Sequence, residues 1–456
     1  MRAEWTFRLL PPLLALAIYW PGLWAWFQQD DFAWMGLLRE VREGASLWDT
    51  LLKPSQHGTW RPLSERAYFL LFPALFGYEA WPMRLAAFLT QGASLMLLQD
   101  IAWRITGSRW GAASAPLLWM APSQMTIAMI SNGAYVHVMG GFFLLLAVHS
   151  LIAGHVRLLW CAFGLGFLAS ESNVVFPGLA TAWWLLFDRS MARRVVWLWA
   201  VSIAYFAGHM WLAPKMSAGA YAMHFDASML HTLWRYWRMI FEPENFTVFT
   251  GVPGWVLQGL GVCFTIVAIG VPLWRKQKAG ILFWAWFVIL LGPVLPLAGH
   301  VTGYYLTIPL AAFALLGAGM VSQWRPAAAV VAAFILLSAP CAHRATEWWR
   351  QRGAVAESLV RRVFAAHQAN PDQLILLEGV TDEQFWAAVA HYPFVERKKT
   401  YVFLTRGTEQ RITAHPESGV RLNEFFLPEQ EEMKLRAEGR IVELTVNPRT
   451  ASPGAL

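Results

Sequence analysis

Apolar residues run along this chain in long blocks separated by short polar gaps. The first block is Leu9 to Phe27, preceded by Arg2 and Arg8. It is too long for a signal-peptide core, and no small-residue cleavage site follows it. It reads as a retained first helix with its N-terminus in the cytoplasm. Further blocks centre on 82–103, 110–128, 134–153, 158–170, 174–187, 195–213, 254–274, 280–298, 302–321 and 326–342. The blocks 158–170 and 174–187 are short for a span, and polar Ser170–Glu171–Ser172–Asn173 divides them, so two short helices are expected there. The pattern predicts an all-α polytopic membrane protein with about 11 transmembrane helices, each needing about 20 apolar residues.

Charge tests that topology. The gaps assigned to the cytoplasm hold Arg104 and Arg109, then Arg157, then Arg189, Arg193 and Arg194, then Arg275, Lys276 and Lys278, then Arg325. The short gaps assigned to the outside, 128–133, 171–173 and 299–301, hold no Lys or Arg. This alternation is what positive-inside orientation requires, and it would break if 158–187 were a single span. The expected location is a plasma (inner) membrane, with the C-terminus periplasmic or extracellular.

Two domains are expected: a transmembrane part, 1–342, with outer loops 28–81 and 214–253, and a small α/β extramembrane tail, 343–456. Residues 345–368 read as an amphipathic helix; Gln373–Gly379, Thr400–Leu404 and Arg440–Val446 read as strands, with 382–391 helical between them. Residues 448–456 read as a loose end, and no internal repeat is visible.

Composition excludes an ordinary water-soluble enzyme: 57% of the 456 residues are hydrophobic and 14% charged, against roughly 25% charged in soluble domains. The net charge of +7 gathers in the gaps between apolar blocks, so it orients the chain in a bilayer and gives no reason to expect nucleic acid. Cys161, Cys263 and Cys341 lie in or beside apolar blocks and form neither a disulfide framework nor a metal spacing. No Walker A loop, GxSxG, HExxH or dinucleotide fingerprint is present.

Four polar clusters stand out. Asp30 and Asp31 follow the first span directly, on the outer face. A carboxylate there serves as a general base on an acceptor hydroxyl, or holds a divalent cation beside a phosphate; a solvated acidic pair bounding a helix fits equally. Downstream lie His57, Arg61–Pro62–Leu63 and Arg66. Arg61 or Arg66 suits a phosphate and His57 an acceptor, while Trp60 and Arg61 also suit an interfacial anchor and Pro62 a helix start. Glu171 lies between two short apolar blocks, where an ionisable group is a functional candidate, although Ser170 or Ser172 with a nearby carboxylate also makes a helix cap. His300, Tyr304 and Tyr305 sit at the outer end of two helices, as phosphate partners or as an aromatic belt. In the second outer loop Arg235 and Arg238 share a helix face, which suits anionic headgroups.

Taken in order, these segments resemble the integral-membrane glycosyltransferases of the GT-C type, and within them the protein O-mannosyltransferases and bacterial relatives. Asp30–Asp31 matches the acidic pair after the first helix of those enzymes, and Arg61–Pro62–Leu63, with Leu75–Phe76–Gly77, matches the segment before the second long helix. Ala169–Ser170–Glu171 keeps the acid of a Leu-Ser-Lys-Glu motif but has Ser170 for its lysine. Gly303–Tyr304–Tyr305–Leu306–Thr307–Ile308–Pro309 is similar to an Arg-Tyr-Leu-Tyr-Leu-Pro stretch and lacks its arginine. The resemblance covers residues 9–342. It implies a polyprenyl-phosphate sugar as donor, entering among membrane lipids. It also implies a first-loop acid, Asp30 foremost, deprotonating an acceptor hydroxyl, with inversion at the sugar. Arg61, Arg66 and His300 are then the phosphate candidates. The acceptor class (protein, lipid or glycan) stays open, as does a divalent cation. Three other readings compete: a transporter, an inactive scaffold, and an O-antigen ligase or polymerase, which the early position of the acids disfavours.

Overall fold

The computed structural model describes residues 2–54, 58–213, 219, 221–396, 399–413 and 420–446. His57 and the 448–456 end lie outside the described residues, as do 214–218 and 220 of the second outer loop. The chain is built mainly of helices: α1 (Arg2–Ala17), α2 (Asp30–Arg42), α3 (Leu47–Leu52), α4 (Tyr68–Phe76), α5 (Trp81–Thr106), α6 (Arg109–Met120), α7 (Thr126–Ile130), α8 (Tyr135–Ala153), α9 (Val156–Ala169) and α10 (Phe176–Leu186). They continue with α11 (Ala192–Leu212), α12 (Ser228–Phe241), α13 (Phe246–Thr250), α14 (Gly254–Trp274), α15 (Lys278–Leu291), α16 (Pro309–Gln323) and α17 (Ala327–Ala369). The C-terminal region holds β1 (Leu374–Glu378), α18 (Asp382–Ala388), β2 (Val395–Glu396), β3 (Lys399–Thr400), β4 (Val402–Leu404), α19 (Glu429–Ala437) and β5 (Ile441–Thr445).

Local chemistry sets the ends of these helices. Pro82 sits in the first turn of α5, where its missing N–H is no loss, and Gly107 closes it at φ 63°. Ser108 caps α6 by accepting from the Gly111 N–H at 3.1 Å. Two expected single spans are broken. The 110–128 block stops as α6 at Met120 and restarts as α7 at Thr126, because Pro122 cannot continue the hydrogen-bond ladder. The first block ends as α1 at Ala17 and resumes as a 3-10 turn at Trp20–Trp24, around Pro21.

Among the described residues five helical segments are long and apolar enough to cross a membrane: Trp81–Thr106, Tyr135–Ala153, Arg189–Leu212, Gly254–Trp274 and Ala327–Ala369. Thr6–Ala17, Val156–Ala169, Lys278–Val294 and Pro309–Gln323 are shorter apolar helices. The outer faces of α11 and α14 expose Val196, Trp197, Ile203, Phe206, Val262, Ile266 and Leu273. Water penalises such a surface and lipid does not. The protein is therefore a multi-pass membrane protein. Inside, Trp119 of α6 is buried, and its indole N–H donates to the Thr307 carbonyl at 2.7 Å, tying α6 to the start of α16.

Helix α17 passes without a break through position 342, where the sequence divides into two parts. Its 43 residues span about 65 Å, twice the roughly 30 Å hydrocarbon layer. Its apolar first half gives way to Arg344, Glu347, Arg350 and Arg352. The second half carries a three-stranded parallel sheet of order β4-β1-β5, with Ile375 opposite both Val402 and Val442. The segment after the first apolar block and this region share one apolar core: Trp26, Phe27, Phe32 and Met35 cluster with Val360, Phe385 and Phe394. Gly353 permits the approach, since a Cβ there would lie 3.0 Å from the Trp26 backbone N.

Candidate active site

The two adjacent carboxylates face opposite environments. Asp31 is fully buried. Its Oδ1 accepts from the Gly133 N–H at 2.8 Å, and its Oδ2 lies 3.5 Å from Arg84 Nη2, a guanidinium that is itself fully buried in α5. Ser131 Oγ and Asn132 Nδ2 complete the ring at 3.4 and 3.5 Å. Burial pushes the Asp31 carboxyl up to about 6, against the pull of Arg84 and the Gly133 N–H. Asp31 thus pins the start of α2 to α5 and to the turn before α8. The Asp30 side chain is 72% exposed. Gln29, just before the pair, turns the chain at φ 53°, in the left-handed region that a side chain disfavours.

The second cluster is assembled by the turn Pro62–Ala67, which is a π-helical turn running into α4; such turns recur at functional sites. Arg61 Nε donates to Glu171 Oε2 at 2.7 Å, and Arg61 Nη1 lies 3.5 Å from Glu65 Oε2. Arg66 lies 3.8 Å from the other Glu65 oxygen and stacks over Trp34 of α2. Burial works against the Arg61 cation, but Glu171 and Glu65 outweigh it and hold the guanidinium above its ordinary value. Burial pushes Glu65 up to about 7, with Arg61 pulling the other way. Glu171 is delivered by a 3-10 turn after α9, and Ser170 caps that turn by accepting from the Ser172 N–H at 3.3 Å. Of the two roles foreseen for this segment, the helix cap is filled, by Ser170. Gly140 of α8 admits the turn: a Cβ there would meet Ser170 Cβ at 2.8 Å.

Aromatic groups line the third side. His300 Nε2 lies 3.0 Å from the Tyr304 hydroxyl, and Tyr221 packs on the His300 ring at 4.4 Å. His137 of α8 packs against Tyr304 and Tyr305 at 5.4 and 6.1 Å. Burial lowers His300. Burial, then Tyr304 and Asp30, push the Tyr221 hydroxyl up to about 12, while Arg61 draws it down. The structure joins Arg61, Glu65 and Glu171 in one ion-paired cluster and His300, Tyr304 and Tyr305 in one aromatic cluster, sets Asp30 exposed beside His391 and buries Asp31.

Sequence reasoning missed Arg84, Tyr221, His137 and His391. An arginine inside the apolar 82–103 block was a visible signal for Arg84. The others sit on segments with no local motif. Arg238 pairs with Glu242 at 2.5 Å, and Arg235 lies 3.4 Å from the Ala298 carbonyl, so part of the charge foreseen for headgroups is met within the protein. Among the described residues no three His, Cys, Asp or Glu groups converge as a metal site. A surface cavity of about 230 Å³ beside Phe241, Glu242, Phe246 and Gln258 shares no residue with these clusters.

No family model and no curated protein matches the chain. Two crystal structures do. ArnT from Cupriavidus metallidurans bound to undecaprenyl phosphate has a TM-score of 0.47 at 15% identity, over 95% of this chain and 91% of that one. The apo state of ArnT has a TM-score of 0.36 at 14% identity, over 97% and 93%. At these TM-scores the likeness carries no argument of its own.

Proposed function

We propose that the protein is a GT-C-type glycosyltransferase that moves a sugar from a polyprenyl-phosphate donor to an acceptor hydroxyl at the outer face of the membrane. The reading includes about 11 spans, a cytoplasmic N-terminus and a C-terminal α/β unit outside. One observation carries it: an exposed carboxylate, Asp30, directly follows the first apolar block, and a half-buried guanidinium, Arg61, is held by Glu171 and Glu65.

In this scheme Asp30 takes the proton of the acceptor hydroxyl. The acceptor oxygen attacks the anomeric carbon from the face opposite the phosphate. The bond from that carbon to the phosphate oxygen breaks, and its electron pair leaves with polyprenyl phosphate. Arg61 meets the growing phosphate charge, assisted by His300 and Tyr304 as hydrogen-bond partners. Glu171 and Glu65 hold Arg61 in place, at 2.7 and 3.5 Å. Arg66, stacked on Trp34 and facing Glu65, serves to orient this turn.

The test is release of polyprenyl phosphate by the protein in nanodiscs, with a panel of polyprenyl-phosphate sugars and Asp30→Asn as control. The expected result is turnover with at least one donor, reduced about 10²–10⁴-fold in the variant. Turnover unchanged in Asp30→Asn, or no binding of any donor, overturns the reading.

A further inference from the structure

The C-terminal region reaches the candidate base directly. His391, just beyond α18, places Nδ1 3.3 Å from Asp30 Oδ1. Its side chain is 20% exposed against 72% for Asp30, so the imidazole is held and the carboxylate is open. Around this contact the two regions are joined on several sides. The N–H of Gln29, the residue before Asp30, donates to the Ala387 carbonyl of α18 at 3.0 Å. Arg39 Nη1 reaches the Val395 carbonyl at 3.3 Å, and Gln28 Nε2 reaches the Trp349 carbonyl of α17 at 3.2 Å.

Backbone conformation points the same way. Four non-glycine residues among those described have positive φ, and two of them adjoin this pair: Gln29 at 53° before Asp30, and Tyr392 at 54° after His391. Each such residue costs on the order of 1–3 kcal/mol and persists where its surroundings over-determine it. Tyr392 is fixed by donation to Glu424 Oε2 at 2.6 Å and by stacking on Phe425. Gln29 and Tyr392 adjoin the contacting pair in the chain.

We propose that His391 is a positioning residue for Asp30, so that the C-terminal region forms part of the transferase site. The inference rests on the transferase reading for its catalytic consequence. At 3.3 Å the imidazole stands against one Asp30 oxygen and leaves the other for the acceptor hydroxyl. It fixes the carboxylate much as a buried acid fixes a catalytic histidine, with the roles exchanged. The charged groups around His391 are Asp30 on α2 and Arg352 on α17, which pull it in opposite directions, while burial favours its neutral form. Asp382 and Glu383 on α18 face Arg352.

The experiment uses the full chain in nanodiscs with ¹⁵N-labelled histidine, comparing wild type, Asp30→Asn, His391→Leu and His391→Asn. The amide of His391→Asn keeps a donor near the Nδ1 position. The expected nuclear magnetic resonance result is a fall of about one unit in the His391 pKa in Asp30→Asn, from loss of the adjacent carboxylate. The expected kinetic result is an about 10–100-fold loss of kcat in His391→Leu with donor KM retained, and partial rescue in His391→Asn. An unchanged His391 titration in Asp30→Asn overturns the inference whether or not the protein turns over. Wild-type turnover with an equally active His391→Leu overturns the inference and leaves the transferase reading standing. Coupled titration without wild-type turnover on any donor overturns the transferase reading and leaves His391 as the group that holds Asp30.

Discussion

Asp30 and Asp31 are neighbours in the chain and opposites in the fold. Asp31 meets a buried guanidinium and a backbone N–H in a closed pocket beneath α2. Asp30 lies on the open rim, 72% exposed, against an imidazole from the other end of the chain. A buried ion pair rarely adds net stability, yet removing one partner strands the other at high cost. An exposed carboxylate adds little to stability and stays available to a substrate. The inner acid thus holds the scaffold, and the outer one is free for chemistry.

That contrast has sharp consequences. Asp31→Ala strands Arg84 and should cost about 3–5 kcal/mol, read as a large fall in unfolding temperature. Asp30→Ala should move it by less than about 0.5 kcal/mol. Equal losses in both would erase the distinction. Arg61→Gln should reduce polyprenyl-phosphate binding per folded molecule about tenfold, the size of one charge-assisted hydrogen bond; donor titration in nanodiscs, normalised to the folded fraction, checks this. The smallest expected effect belongs to Glu65. Its folded value is about 7 against an ordinary 4.5, so between these values the folded state holds a proton that the unfolded chain releases. The stability that Glu65 contributes is complete below pH 4.5 and is lost as pH rises through 7. Glu65→Gln should flatten unfolding temperature across that window; an unchanged slope would place the titration elsewhere.

The helical blocks were legible because apolar length and positive gaps are local properties of the chain. Breaks at Pro21 and Pro122 were less so, since a proline bounds some helices and interrupts others. The candidate site was half legible. Asp30, Arg61, Glu171, His300, Tyr304 and Tyr305 stood out as polar groups bordering apolar blocks; the fold pairs Arg61 with Glu171 and groups His300 with Tyr304 and Tyr305. Which aspartate faces outward was not legible. It depends on the Gln29 turn, on Arg84 placed 53 residues later and on Gly133 placed 102 residues later. His391 was invisible for the same reason: its partner is set by the packing of α17 and α18 on the segment after the first apolar block, and sequence spacing carries no trace of that.

The most direct test of the account is turnover of a polyprenyl-phosphate sugar by Asp30→Asn and Asp31→Asn, each normalised to the folded fraction in nanodiscs. The account predicts a collapse of about 10²–10⁴-fold in Asp30→Asn, with turnover per folded molecule retained in Asp31→Asn. Wild-type turnover in Asp30→Asn together with collapse in Asp31→Asn would contradict it, and would place the chemistry in the buried pocket.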